Sequence, residues 1–232
     1  MKLLPAFVIA CVLSFPVAAG AKRVHNKMSD CTFLYASRKK AMDELINSWD
    51  SLHFTPGEHV ADIGAKGANM AGVLSMFYPN IDITLEDIDS SCLNDRQVAF
   101  VLDYYAGVND GKKPEDIRCH VVIGNDTSTT LPDAAFQKVF FINTYHELTK
   151  PKQMLADLYR ILAPGGVLYV QEKVTESKRL RRKDCGHLMP VEAALLKAFS
   201  DAGFKLLKAN TTERHRMKGD RVRSRWYRFR KV

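Results

Sequence analysis

From His59 onward the hydrophobic pattern switches back and forth between short apolar runs of strand length and longer runs with helical spacing, and few folds satisfy that alternation. His59 to Ile63, Ile81 to Leu85, Cys119 to Ile123, Lys138 to Ile142 and Val167 to Val170 read as strands. A helix from about Asn69 to Tyr78 sets Val73, Leu74 and Phe77 on one face, and a second carries Val98, Val101, Leu102 and Tyr105 before the polar loop Asn109 to Glu115. A third, with Leu155, Leu158 and Ile161 or Leu162, is closed by Pro164-Gly165-Gly166, where glycine supplies a left-handed cap. Pro190 opens a further helix through Val191, Leu195, Ala198 and Phe199, and Gly203 stops it. Phe204 to Ala209 and Arg225 to Phe229 then read as strands with a basic loop, Thr211 to Ser224, and no helix between them, so they pair antiparallel. The expected fold class is α/β: a doubly wound, mostly parallel sheet of seven strands, helices on both faces and right-handed crossovers, ending in a C-terminal antiparallel hairpin.

A chain of 232 residues, 46% apolar and 26% charged, can bury one sizeable core, which excludes collagen-like and disordered readings. Ahead of the sheet, Met1-Lys2, the apolar run Leu3 to Ala19 and the exit Ala19-Gly20-Ala21 before Lys22-Arg23 have the order of a secretory leader. The expected organisation is a signal peptide over 1–21, an N-terminal helical cap over 22–57 and a catalytic-type domain over 58–232. The cap helix carries Met42, Leu45, Ile46 and Trp49 on one face and stops before Pro56-Gly57. The chain is therefore read as exported, periplasmic or secreted, with no stable membrane span after leader removal. Export would permit Cys31, Cys92, Cys119 and Cys185 to pair. With no CxxC and no histidine at zinc-finger distance, they are read as structural or incidental thiols, and no metal is expected.

In doubly wound sheets ligands bind beyond the carboxyl ends of the strands, where strand order reverses. The first such loop reads Asp62-Ile63-Gly64-Ala65-Lys66-Gly67-Ala68, an acid and glycines in a strand-to-helix turn, where backbone N–H groups lie open to a ligand. A dinucleotide GxGxxG would need glycine at Lys66 and Asn69, and no phosphate-loop Gly-Lys-Ser/Thr follows.

Asp62-Ile63-Gly64-Ala65, then Leu85-Glu86-Asp87-Ile88-Asp89, Gly124-Asn125-Asp126-Thr127, Asn143-Thr144-Tyr145-His146, Leu162-Ala163-Pro164-Gly165-Gly166 and Asp201-Ala202-Gly203-Phe204 follow in an order and spacing that resembles the class I S-adenosylmethionine-dependent methyltransferases of small-molecule type. The resemblance spans about residues 58 to 232 and implies a Rossmann-like methyltransferase fold with S-adenosylmethionine as cofactor. It places Asp62, Gly64, Ala65, Lys66 and Gly67 in the cofactor turn, and Asp87, with Glu86 as the fallback, on the ribose hydroxyls. It sets Asn125 and Asp126 by the adenine and gives Asn143 a cofactor contact. Lys66 and Ala68 depart from the family's second and third glycines, and Gln137 stands where relatives carry an acid. A Lys66 side chain would either crowd the cofactor's amino-acid end or bind its carboxylate.

Methyl transfer from a sulfonium asks the protein for alignment, exclusion of water and, for some acceptors, proton removal. His146 is the candidate base, with Tyr145 shaping the pocket; a packing or capping histidine is the competing reading. Net charge is +8, and residues 205–232 alone carry +9, with a second basic run at Lys178 to Lys183. Both basic segments should open on the ligand face, so the expected partner is a small, anionic substrate. Nucleic acid is disfavoured, because no aromatic platform accompanies the charge. The runner-up is an exported, non-catalytic binding protein on the same scaffold; a nicotinamide-dependent oxidoreductase ranks third.

Overall fold

A computed structural model describes residues 31–45, 52–55, 57–109, 117–177 and 179–232. The leader lies outside these residues, as do Ile46 and Trp49 of the expected cap helix and most of the loop before β3. In chain order the elements are α1 (Arg38–Glu44), β1 (His59–Ile63), α2 (Asn69–Ser75), β2 (Asp82–Asp87), α3 (Asp95–Val108), β3 (Arg118–Ile123), β4 (Phe136–Ile142), a 3-10 turn (Tyr145–Glu147), α4 (Pro151–Ile161), β5 (Leu162–Thr175), α5 (Glu192–Asp201), β6 (Phe204–Met217) and β7 (Asp220–Lys231).

The strands form one seven-stranded sheet in the order β3-β2-β1-β4-β5-β7-β6. The β1 to β5 pairings are parallel, whereas β7 runs antiparallel to both β5 and β6. Strand alternation sends successive side chains to two separate cores. Val60, Ile83, Leu85 and Phe140 pack with α2 and α3 on one face, and Ala61, Ile63, Val139 and Phe141 pack with α4 and α5 on the other. Helix starts follow local chemistry: the Ser37 side chain accepts from Lys40 N–H and that of Asn94 from Gln97 N–H, while Pro151 occupies the first turn of α4. No helix among the described residues is long and apolar enough to cross a membrane.

Three expectations need correction. Pro164-Gly165-Gly166 is not a helix cap: Leu162 is already extended after Ile161, and the glycines sit in an irregularity of the β4–β5 ladder between Phe136 and Lys138. The basic segment Thr211 to Ser224 is not a loop, because β6 continues to Met217 and β7 begins at Asp220. The turn is only Lys218-Gly219, both at positive φ (49° and 79°), the backbone of a tight hairpin whose twist matches its strands. Charge misled the reading there, since an edge hairpin can carry basic side chains on its open face and still pair. Finally, Cys31 and Cys92 are not incidental thiols but form a disulfide across 61 residues, and Cys119 and Cys185 remain free. That bond fastens the segment before α1 to the loop after β2. Tyr35 N–H donates to Tyr105 Oη (2.9 Å), and Tyr104 Oη–H donates to the Tyr35 carbonyl (3.0 Å), holding the same segment down on α3.

Candidate functional site

The crossovers diverge between β1 and β4, and the strand ends there bring the first and fourth loops together. Gly64 (φ 73°) has no room for a side chain, because Thr144 from the loop after β4 lies against it. Gly64 and Ala65 N–H groups both donate to the Glu86 carbonyl (2.9 Å each), which ties the turn to β2. Lys66 (φ 45°) and Ala68 (φ 61°) hold the left-handed backbone for which glycine is the usual residue. The residues that stand for the family's second and third glycines thus take up positive φ themselves. The Lys66 side chain is exposed, and its charge acts on Asp89. Gly67 serves a different purpose: a Cβ there would stand 2.5 Å from Thr32 Cβ and 2.7 Å from the Cys31 carbonyl oxygen. Its glycine makes room for the disulfide-anchored segment that crosses the turn.

Three carboxylates stand at the ends of β1 and β2. Asp62 is 3% exposed, and no donor among the described residues bonds its carboxylate. Burial, and then the charge of Asp87, push its pKa up to about 7. Asp62 and Asp87 lie on the α2–α3 side of the sheet, in phase with Val60 and Leu85. Asp87 accepts from Lys66 N–H (2.7 Å) and Asp89 N–H (2.9 Å). Glu86, the fallback for the ribose, points to the other face, beneath Gly124, where its carboxylate leaves no room for a Cβ. Only 2% exposed, with no partner for Oε1 among the described residues, Glu86 is pushed up to about 8 by burial first and Asp87 second.

The remaining predicted residues divide. Asn125 folds its own loop, its Oδ1 accepting from Thr127 and Ser128 N–H, and exposed Asp126 pairs with Lys150 at 3.2 Å. Asn143, left-handed at φ 55°, donates through Nδ2 to Gln171 Oε1 (3.1 Å) and accepts from Arg182 Nη1 (3.3 Å). Tyr145 packs its ring 5.7 Å from Phe199, against the second core. His146 has a defined setting. Its side chain is 2% exposed, its Nδ1 is 3.0 Å from Glu172 Oε2, and its backbone N–H donates to the same oxygen at 3.2 Å. A ring proton on Nδ1 would be held by this carboxylate, leaving the Nε2 lone pair toward Glu147 Oε1, 3.7 Å away.

Sequence reasoning missed Glu172, and it placed Arg182 only in the basic run expected to meet an anionic substrate. Glu172 is fully buried, and Arg182 Nη1 donates to its Oε1 at 3.2 Å while Nη2 pairs with Asp184 at 2.7 Å. Arg182 therefore clamps the strap after β5 onto the loop after β4. A signal for Glu172 existed: Leu168, Val170 and Val174 share its phase, so it is an acid at an inward position of a buried strand. Beside the strap is a cavity of about 260 Å³ lined by Lys173, Arg182, Lys183, Asp184, Met189, Arg216 and Met217. A second, of about 440 Å³ on the hairpin, is lined by five arginines with Thr211 and Val222.

Residues 62–170 match a protein family described as "Methyltransferase domain". Over 145 residues, 62% of its length, the chain is 25% identical to 24-methylenesterol C-methyltransferase 2 of Arabidopsis thaliana. It spans about a third (36%) of that relative's length. Among solved structures, a SAM-dependent methyltransferase of Methanosarcina mazei aligns with a TM-score of 0.61 at 15% identity, covering 77% of this chain and 94% of the other. An arsenic(III) S-adenosylmethionine methyltransferase of Chlamydomonas reinhardtii aligns with a TM-score of 0.60 at 18% identity, over 87% of this chain and 75% of the other. At such identities the structural likeness establishes the fold.

Proposed function

We propose that the chain, whose residues 62–170 match the methyltransferase-domain family, is a class I S-adenosylmethionine-dependent protein and transfers a methyl group from that cofactor to a small anionic acceptor. The observation that carries this reading is Asp62, a carboxylate buried at the end of β1 with no hydrogen-bond donor among the described residues and with Asp87 on the same face of the sheet. Buried acids without a partner are costly, and a ligand bearing a sulfonium and an ammonium supplies the missing positive charge. Asp62, Asp87 and the turn from Gly64 to Gly67 would hold it, and the cofactor's sulfonium provides the electrophilic methyl group.

The other residues position and deprotonate. Nε2 of His146, whose ring Glu172 holds through Nδ1, accepts the acceptor's proton, and the buried carboxylate steadies the resulting imidazolium. Arg182 is already engaged by Glu172 and Asp184, so an anionic acceptor would meet Lys183 and Arg216 of the adjoining cavity instead. Export is part of the proposal: the Cys31–Cys92 bond suits an oxidising compartment, as the leader pattern does.

Calorimetry with S-adenosylmethionine tests the first half of this reading, and no heat at millimolar cofactor refutes it. For the second half, Lys183→Ser with Arg216→Ser should raise KM for the acceptor and leave kcat in place. An unchanged KM removes the anionic acceptor.

A further inference from the structure

We infer that the loop after β4 and the strap after β5 together build a binding site for a zinc-class divalent ion, with His146, Glu147, Cys185 and His187 as ligands. One ligand atom from each lies within 4.8 Å of all the others. Around tetrahedral zinc, with bonds of about 2.0–2.3 Å, ligand atoms stand about 3.3–3.8 Å apart. Closing the set therefore asks for about 1 Å of movement, and Glu147, Cys185 and His187 are all exposed and able to supply it.

The fourth ligand is preset. Glu172 holds Nδ1 of His146 at 3.0 Å, the outer carboxylate that metal-binding histidines characteristically have, and this turns Nε2 toward Glu147 Oε1, 3.7 Å away. The rings of His146 and His187 stand 6.0 Å apart between centroids, close enough to share one ion. Two imidazoles, a thiolate and a carboxylate suit a borderline-soft ion such as zinc and do not suit magnesium or calcium, which favour oxygen. The absence of CxxC and finger-type spacing in the sequence does not bear on this set, because its members come as a His-Glu pair and a Cys-x-His pair on separate loops. Zinc on Nε2 takes the lone pair assigned above to proton removal, so metal-loaded and metal-free protein differ in chemistry at one atom. The site stands without the methyl-transfer reading.

The test uses the full chain, stripped with chelator under non-reducing conditions and titrated with zinc by calorimetry and with cobalt(II) by visible absorption. One ion per chain is expected, with intense tetrahedral cobalt bands and thiolate-to-cobalt charge transfer. Cys185→Ser should abolish the charge transfer, and His187→Ala should weaken zinc at least tenfold; both positions are exposed, and thermal scans check that both variants fold. Glu172→Gln should weaken zinc by about 10–100-fold. Failure to bind zinc at micromolar concentration overturns the proposal, as do weak octahedral cobalt bands or a charge-transfer band that survives Cys185→Ser. A cofactor titration on the metal-free protein keeps this result separate from the fate of the methyl-transfer reading.

Discussion

Asp62→Asn isolates the charge on which the cofactor reading depends. Burial first, and Asp87 second, lift the Asp62 carboxyl from 3.8 to about 7. Between those values the folded chain holds more protons than the unfolded one, so stability falls as pH rises and the loss is complete once pH passes the folded value. The shift puts the full loss at about 4 kcal/mol, more than half of which falls between pH 5 and pH 8. In a protein of this size that is about 5–10 °C in Tm. Glu86, pushed up to about 8 with the Asp62 charge among the causes, contributes a slope of the same sign to both proteins and a smaller one in the variant, which adds to the difference. The amide that the substitution introduces also lacks partners, but that cost does not change with pH. Differential scanning fluorimetry of cofactor-free protein from pH 5 to pH 8 should therefore show a steeper fall in Tm for the parent chain than for the variant. Saturating S-adenosylmethionine should flatten the parent's slope, because a bound cation stabilises the ionised acid, and cofactor affinity should rise with pH through about 7. Equal slopes in the two cofactor-free proteins would refute the argument.

Other changes probe the cap, the turn and the base. Reducing Cys31–Cys92, or replacing Cys31 with Ser, should cost about 4 kcal/mol by loop-closure entropy and weaken cofactor binding, read by thermal scans with and without reductant; identical scans would show that the bond closes nothing. Gly67→Ala should cost about 1–3 kcal/mol, since its Cβ meets Thr32 and the Cys31 carbonyl. Gly107→Ala, in an open position of α3, should gain about 0.5–1 kcal/mol, both glycine variants being read by denaturant titration. Lys66→Gly should stabilise by about 1 kcal/mol by relieving the left-handed backbone, with cofactor affinity unchanged; a loss of affinity would place the Lys66 ammonium on the cofactor's carboxylate.

The architecture is legible because apolar periodicity is a local property. His59 to Ile63 reads with its bounds intact, and the helix around Val98, Val101 and Tyr105 with its buried face, since burial on a sheet or beneath a helix enforces that spacing. Charge patterning is less dependable. Arginines from 214 to 225 resemble a solvated loop, yet Val222, Ser224 and Trp226 alternate inward between them and keep β7 in register with β5. The turn at Gly64 is legible as a site, but not its division of labour. Left-handed backbone at Lys66 and Ala68 cannot be read from residues that seldom adopt it, and the reason for Gly67 lies 35 residues upstream in Thr32.

What sequence withholds is consistently tertiary. The Cys31–Cys92 bond joins segments with no shared periodicity, and the His146 ring is held in place by Glu172, one strand over and buried beside it. An isolated histidine after β4 has equal claims as packing or capping residue and as base. A fully buried carboxylate on Nδ1 supports the proposed chemistry at the other nitrogen, because it fixes the ring in one orientation. Packing alone would be served as well by an apolar pair. His146→Leu combined with Glu172→Leu and Arg182→Leu, which leaves no buried charge behind, should then match the parent in stability while abolishing transfer and metal binding together. A triple variant that unfolds outright would mean that the strap's attachment through Arg182, and not chemistry at Nε2, is what keeps the buried acid in place.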